Sequence, residues 1–176
     1  MSLIAGNLGV VARLLNQQAL AWGICAGAAA HLYGNRRPLQ DIDILVAVGQ
    51  LPTVVQLLQQ QQKAVQFDGQ RILWRGIKLF DDLSIRRATT HPFQLDDLAI
   101  ARLRRMPLLG APVAVLAPED VLIHKVVLGR GAELRKHDLD DARGIVRRQQ
   151  LDLAYLEQRA GLMNATVYLQ KMAELV

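Results

Sequence analysis

The sequence predicts an α+β protein: a mixed β-sheet flanked by helices, followed by a helical C-terminal half. Three observations carry this. Short apolar runs of strand length, bounded by Gly, Pro and Asp, alternate with helical segments over residues 1–117. The pair Asp68-Gly69 between two β-prone runs marks a hairpin, and so an antiparallel component of the sheet. From Pro118 onward the pattern is predominantly helical. A boundary near Ala117 is therefore expected, with an α/β core over 1–117 and a helical extension over 118–176 packed on it as one compact unit.

Taken in order, residues 3–20 form an amphipathic helix with Leu8, Val11, Leu14 and Leu15 on one stripe. Trp22 to Ala26 is a short strand. Gly27 then opens an alanine-rich helix that Gly34-Asn35 closes. Ile42 to Val48 is a buried strand, and Leu51-Pro52 starts a helix running to about residue 62, with proline at its first turn. The Asp68-Gly69 hairpin joins Val65–Phe67 to Arg71–Trp74, and Arg75-Gly76 breaks the chain before the strand Ile77–Asp81. Asp96 to Met106 reads as a helix ended by Pro107, Gly110 and Pro112, and Val113–Leu116 as a short strand. Four helices follow, near 118–129, 138–149, 151–160 and 163–175.

Composition bounds the function. The chain has 176 residues, 51% of them hydrophobic, which suits a globular domain and argues against disorder. No apolar run reaches the roughly 18 residues of a spanning helix, and residues 1–20 lack the basic start of a secretory signal, so no membrane partner is expected. Cys25 is the single cysteine, which excludes an internal disulfide and suits a reducing cytoplasm; within a strand it reads as an inert core thiol. A net charge of +5 with a pI near 9.8 is compatible with nucleic-acid binding and is also ordinary for a soluble protein. Its distribution says more: Lys125, Arg130, Arg135, Lys136, Arg143, Arg147 and Arg148 stand against Glu133, Asp138, Asp140 and Asp141. No aromatic residues interleave this group in the manner that stacks on single-stranded bases.

Asp41 and Asp43 are the most informative residues. They open the apolar run Ile42–Val48, and two residues apart on a strand point to one face. Two aligned carboxylates beside a core are costly unless compensated. A divalent cation resolves the conflict, since Mg²⁺ takes oxygen ligands and commonly sits between carboxylates and substrate phosphates.

The order from residue 22 to 48 is strand, Ala26-Gly27, short helix, Gly34, Arg37-Pro38, then Asp41-Ile42-Asp43. It resembles the nucleotidyltransferase fold superfamily, particularly its small bacterial stand-alone and toxin-type members. Ala26-Gly27 stands for the family's Gly-Gly or Gly-Ser pair, and Gln40 stands where the family has Arg or a small residue. The resemblance implies that Asp41 and Asp43 hold Mg²⁺ or Mn²⁺, and that Gly27 and Arg37 meet nucleotide phosphate.

Within the same resemblance, Pro118-Glu119-Asp120 through Lys125, Gly129-Arg130 and Lys136-His137-Asp138 to Asp141 looks like the family's second signature. It implies that Lys125, with Arg130, contacts the triphosphate, and that Asp138 and Asp141 support the site. The plain reading of Asp138 is a helix cap, with Asp140 and Asp141 favouring the helix dipole. Active members also carry a third carboxylate on a neighbouring strand. Here Lys78 or Phe80 stands where that acid is expected; Asp81, at the strand end, is the candidate and Asp82 the alternative.

The function implied is Mg²⁺-dependent transfer of a nucleoside monophosphate from a nucleoside triphosphate (NTP) to a hydroxyl of RNA or tRNA, a protein or a small molecule. A toxin–antitoxin component with a cognate antitoxin fits the same resemblance. The alternatives are a non-catalytic nucleotide- or RNA-binding member of the fold, and an interaction module carrying Asp-x-Asp by chance.

Overall fold

The computed structural model describes residues 3–61 and 63–175. In chain order the elements are α1 (Leu3–Gln17), β1 (Trp22–Ile24), α2 (Ala26–Tyr33), β2 (Ile42–Val46), α3 (Leu51–Gln60), β3 (Gln66–Phe67), β4 (Arg71–Trp74) and β5 (Ile77–Phe80). Then follow β6 (Ile85–Arg86), β7 (Thr90–His91), α4 (Asp97–Ala101), β8 (Arg104–Leu108), β9 (Ala111–Val115), α5 (Pro118–Leu128), α6 (Asp138–Arg148), α7 (Leu153–Leu162) and α8 (Leu169–Ala173). This is the mixed sheet with flanking helices that the sequence predicts.

The residues fall into two compact units. The first comprises Met1–Cys25, Leu39–Leu83 and Gln94–Leu116; the second comprises Ala26–Pro38, Ser84–Phe93 and Ala117–Val176. The second unit thus takes two segments from before Ala117 as well as the helical half.

The first unit is built, among the described residues, on a seven-stranded sheet in the order β3-β4-β5-β2-β1-β9-β8. β2 is central. It runs antiparallel to β1 and parallel to β5, and all its residues except Asp43 are buried. α1 lies against β9 and β5 and buries Leu8, Val11 and Leu15 of its predicted stripe, while Leu14 is only half-buried. The turn Arg75-Gly76, both at positive φ (45° and 85°), reverses the chain between β4 and β5. The Asp68 carboxylate caps the other hairpin turn, accepting from the backbone N–H groups of Gln70 and Arg71 at 3.0 and 2.9 Å.

Two expected elements are different. The helix expected near 163–175 is reduced to a 3₁₀ turn at Thr166–Tyr168 and the short α8. Residues 96–106 do not form one helix: α4 stops at Ala101, and Arg104–Leu108 pair antiparallel with β9. Leu109 and Gly110, at φ 50° and 84°, make the hairpin turn. Pro107 lies opposite Pro112 on the outermost strand, the place in a sheet that tolerates a missing donor. Local pattern cannot show this, because the partner strand supplies the hydrogen bonds.

The second unit is organised around α5, whose residues from Pro118 to Val127 are all buried, polar ones included. It contacts α2, α6 and α7. Each buried polar group meets a partner, as burial requires. Glu119 accepts from the Asp152 N–H at 2.7 Å, at the start of α7. Asp120 accepts from the Tyr155 hydroxyl at 2.8 Å and pairs with Arg159 at 2.7 Å. Burial and the Asp120 charge push the Tyr155 phenol well above its ordinary value, so it stays a donor. The His124 ring stacks on Phe93 at 4.3 Å between centroids.

α2 and α6 meet at two glycines. A Cβ on Gly34 would lie 2.6 Å from the backbone carbon of Gly144, and one on Gly144 would lie 2.8 Å from Asn35 Cγ. Gly34→Ala is therefore expected to destabilise the protein by about 1–3 kcal/mol through overpacking, read as a lower urea midpoint at unchanged m-value.

Candidate functional site

The acidic candidates belong to the first unit. Asp41 immediately precedes β2 and Asp43 is its second residue; both are half-buried at the strand's start. The strand is apolar because it is the sheet's centre, so the two acids are confined to the end where water reaches them. The Cys25 N–H donates to the Asp43 carbonyl at 3.0 Å, which fixes the β2 backbone from the β1 side. On the β5 side the parallel register sets Lys78 opposite Asp43. The Lys78 ammonium also donates to Asp41 Oδ2, with both side chains a little over a third exposed (37% and 39%).

Asp81 is not brought to this pair. It lies beyond β5, three residues past Lys78, which is about 10 Å along an extended chain, and its Oδ2 accepts from the Gly49 N–H at 2.9 Å. Because β2 and β5 are parallel, that contact is at the opposite end of β2 from Asp41. Asp82 follows still further along the chain. Of the two residues expected at the third-carboxylate position, Lys78 lies opposite Asp43 and Phe80 opposite Leu45. Among the described residues, no group of three or more His, Cys, Asp or Glu side chains is placed to hold a metal ion. Two carboxylates and an open face fit a single hard divalent ion that completes its shell with phosphate oxygens. The ammonium on Asp41 shows that this oxygen already serves a cation.

The nucleotide-binding candidates belong to the second unit and form one connected set. α2 begins at Ala26 with φ 49°, a left-handed conformation costly for a residue with a Cβ, in the place where the family has glycine. A Cβ on Gly27 would lie 3.6 Å from Arg37 Nη2, so glycine leaves that guanidinium edge open. His31 Nδ1 lies 2.8 Å from the Arg37 carbonyl and ties the segment back to α2.

Arg37 grips Asp141 with both terminal nitrogens, Nη2 at 2.9 Å from Oδ2. Lys125 reaches from α5 to α6, its ammonium 2.8 Å from Asp138 Oδ1 and 2.9 Å from Asp141 Oδ2. Arg130 Nε donates to Asp138 Oδ2 at 2.6 Å. Lys125, Asp138 and Asp141 are almost wholly buried (5%, 1% and 0% exposed). Burial pushes the Asp138 carboxyl up, but hydrogen bonds from Arg130 and Lys125 outweigh it and hold the group below its ordinary value. The Asp141 pair likewise raises Arg37. Lys125, expected to meet phosphate, therefore has its ammonium committed to two carboxylates, and Asp138 and Asp141 are ligands of cations in the same network. Arg37 and Arg130 keep about a third of their side chains exposed (32% and 36%).

Sequence reasoning missed an arginine-rich cleft in this unit. It has a volume of about 440 Å³ and is lined by Asn35, Arg37, His137, Arg143, Arg147 and Arg148, with Asp140 as its acidic member. Arg148 is held by the Gly34 carbonyl at 2.9 Å, and Asn35 donates to the Asp140 carbonyl at 2.6 Å. The cluster of α6 arginines is visible in the sequence; the close approach of α2 that makes it concave is not.

No protein-family model matches the sequence. Nor does any curated protein match it. Solved structures do. ANT(2'')-Ia in complex with adenylyl-2''-tobramycin superimposes with a TM-score of 0.61 at 10% identity, covering 93% of this chain and 98% of that one. The lincosamide antibiotic adenylyltransferase LnuA, lincomycin-bound, gives 0.51 at 16% identity, with coverages of 80% and 95%. An antigenic nucleotidyltransferase-like protein from Paracoccidioides brasiliensis gives 0.54 at 16% identity over 98% and 91%. With the central strand, its Asp-x-Asp start and the mixed sheet already described, these similarities identify the chain as having the nucleotidyltransferase fold.

Proposed function

We propose that this protein is a nucleotidyltransferase that moves a nucleoside monophosphate from an NTP to a hydroxyl group. The observation that carries the reading is Asp41 and Asp43 at the start of the central strand of a sheet of this fold. In the reaction, the acceptor oxygen bonds to the α-phosphorus, the bond to the bridging oxygen of the β-phosphate breaks, and pyrophosphate leaves with that electron pair. The hydroxyl proton passes to solvent. Asp41 and Asp43 are the residues that hold Mg²⁺ or Mn²⁺. Such an ion neutralises charge on the phosphate oxygens and fixes their orientation.

In the second unit, Gly27 and the exposed edge of Arg37 are proposed to meet phosphate, with Asp141 fixing the guanidinium plane. Lys125 is then a positioning residue: it acts by holding Asp138 and Asp141. Arg130 keeps exposed guanidinium surface available to an anion. Work of this kind is mostly orientation and charge placement rather than covalent chemistry.

The similar structures with tobramycin and lincomycin support a small-molecule hydroxyl as one acceptor class. The arginine-rich cleft favours an anionic acceptor over an amine-rich aminoglycoside, because opposite charges attract and like charges repel. RNA is the first such acceptor, since phosphates along its backbone match a row of arginines. Purified protein with α-labelled NTPs, Mg²⁺ and a small-RNA pool should give covalently labelled RNA, lost with chelator and falling steeply with salt. Parallel reactions with aminoglycosides and with whole-cell extract locate another acceptor.

A non-catalytic nucleotide-binding protein is the second reading, and Lys78 in the place of an acid favours it. Metal-dependent nucleotide binding without transfer to any acceptor in extract would establish it.

A further inference from the structure

Asp43 has two neighbours across the sheet, and neither is acidic. On one side the Cys25 N–H meets its carbonyl; on the other the register partner is Lys78. The next strand out places Leu73 opposite Lys78. No carboxylate on the flanking strands therefore stands level with Asp43, and Asp81 is spent on Gly49 at the far end of β2. In place of a third acid stands an ammonium that reaches Asp41.

Two-metal transfer sites clamp the attacking and leaving oxygens with a pair of divalent ions. Exchanging a carboxylate for an ammonium changes the fixed charge of a site by two, which is the charge of one divalent ion. With Asp41, Asp43 and Lys78, one divalent ion brings the site to the net charge that three carboxylates reach with two. A second ion would add uncompensated charge beside a fixed cation, which repels it.

We propose that Lys78 replaces one of the two metal ions as a tethered cation, so that this site takes a single divalent ion. The proposal rests on the assignment of Asp41 and Asp43 as metal ligands. Lys78 pairs with Asp41 when no ion is bound. When one binds, Lys78 yields that oxygen and presents its charge to the anionic ligand. Both side chains are partly exposed, so the exchange needs no rearrangement of the sheet.

The test is Mn²⁺ titration followed by electron paramagnetic resonance of the free ion, with a non-hydrolysable NTP present. Wild-type protein should bind one Mn²⁺ per chain. Lys78→Asp should bind two. Lys78→Met, which keeps the stem and removes the charge, should bind one Mn²⁺ about tenfold more tightly, because a nearby positive charge is gone. An exposed pair contributes little stability, so Lys78→Met should keep the wild-type urea midpoint, whereas Lys78→Asp, which sets a third carboxylate opposite Asp43, should lower it in the absence of metal. Two ions in the wild type, one in Lys78→Asp, or unchanged affinity in Lys78→Met would each overturn the role of Lys78 while leaving Asp41 and Asp43 as ligands. Absence of Mn²⁺ binding in all three proteins would instead overturn the ligand assignment, and the role of Lys78 with it.

Discussion

Lys125→Met is expected to destabilise the protein by about 3–5 kcal/mol, the cost of removing one partner from a buried ion pair. The methionine fills the same space, so the loss is electrostatic. It leaves two buried carboxylates, Asp138 and Asp141, sharing only Arg130 and Arg37, whose side chains are partly solvated. Urea unfolding should show a much lower midpoint, and a double-mutant cycle with Asp138→Asn should show strong coupling. Acid sensitivity should change in the same direction. The carboxyl of Asp138 titrates below its ordinary value when folded. Its contribution is therefore full above the unfolded value, near 3.9, and is lost as pH falls through the lower folded value. Without Lys125 that loss begins at higher pH. An unchanged urea midpoint in Lys125→Met would refute the buried network.

Asp43→Asn should lower nucleotidyl transfer by roughly a thousandfold, since several kcal/mol of metal-dependent stabilisation is at stake. The change removes one charge with almost no change in shape, and Asp43 is half-buried at a strand end rather than enclosed. The urea midpoint should stay near that of the wild type, while calorimetry with Mg²⁺ and an NTP should lose its metal-dependent heat. Tight metal-dependent binding by this variant would remove Asp43 from the site.

Much of the first unit is legible in the sequence because its signals are local. A β-branched run opening with Asp-x-Asp gives β2, and Asp-Gly gives the β3–β4 hairpin. Pairing between strands hides the rest. Arg104–Leu108 carries no strong alternation and is a strand only because β9 lies beside it.

In the second unit, Glu119, Asp120, His124 and Lys125 on an apolar helix signal that each needs a partner. The partners lie as far away as Asp138, Tyr155 and Arg159, where spacing says nothing. Lys125 is therefore readable as a lysine with a carboxylate or a phosphate to meet, and only its surroundings decide that carboxylates take it. Lys78 is visible as an anomaly at the third-acid position; its pairing with Asp41 follows from the β2–β5 register.

The outer limits of the seven-stranded sheet have a bearing on colloidal behaviour. An unpaired strand edge is a template on which another chain can add by backbone hydrogen bonding, the first step of aggregation. The order of strands leaves β3 at one margin and β8 at the other. β3 is only Gln66-Phe67, too short to seed a ladder. β8 is longer, but Pro107 deletes a donor and Arg104 and Arg105 place like charges where a second copy would have to dock. Residues that look out of place in a strand thus keep the chain from polymerising through its own sheet.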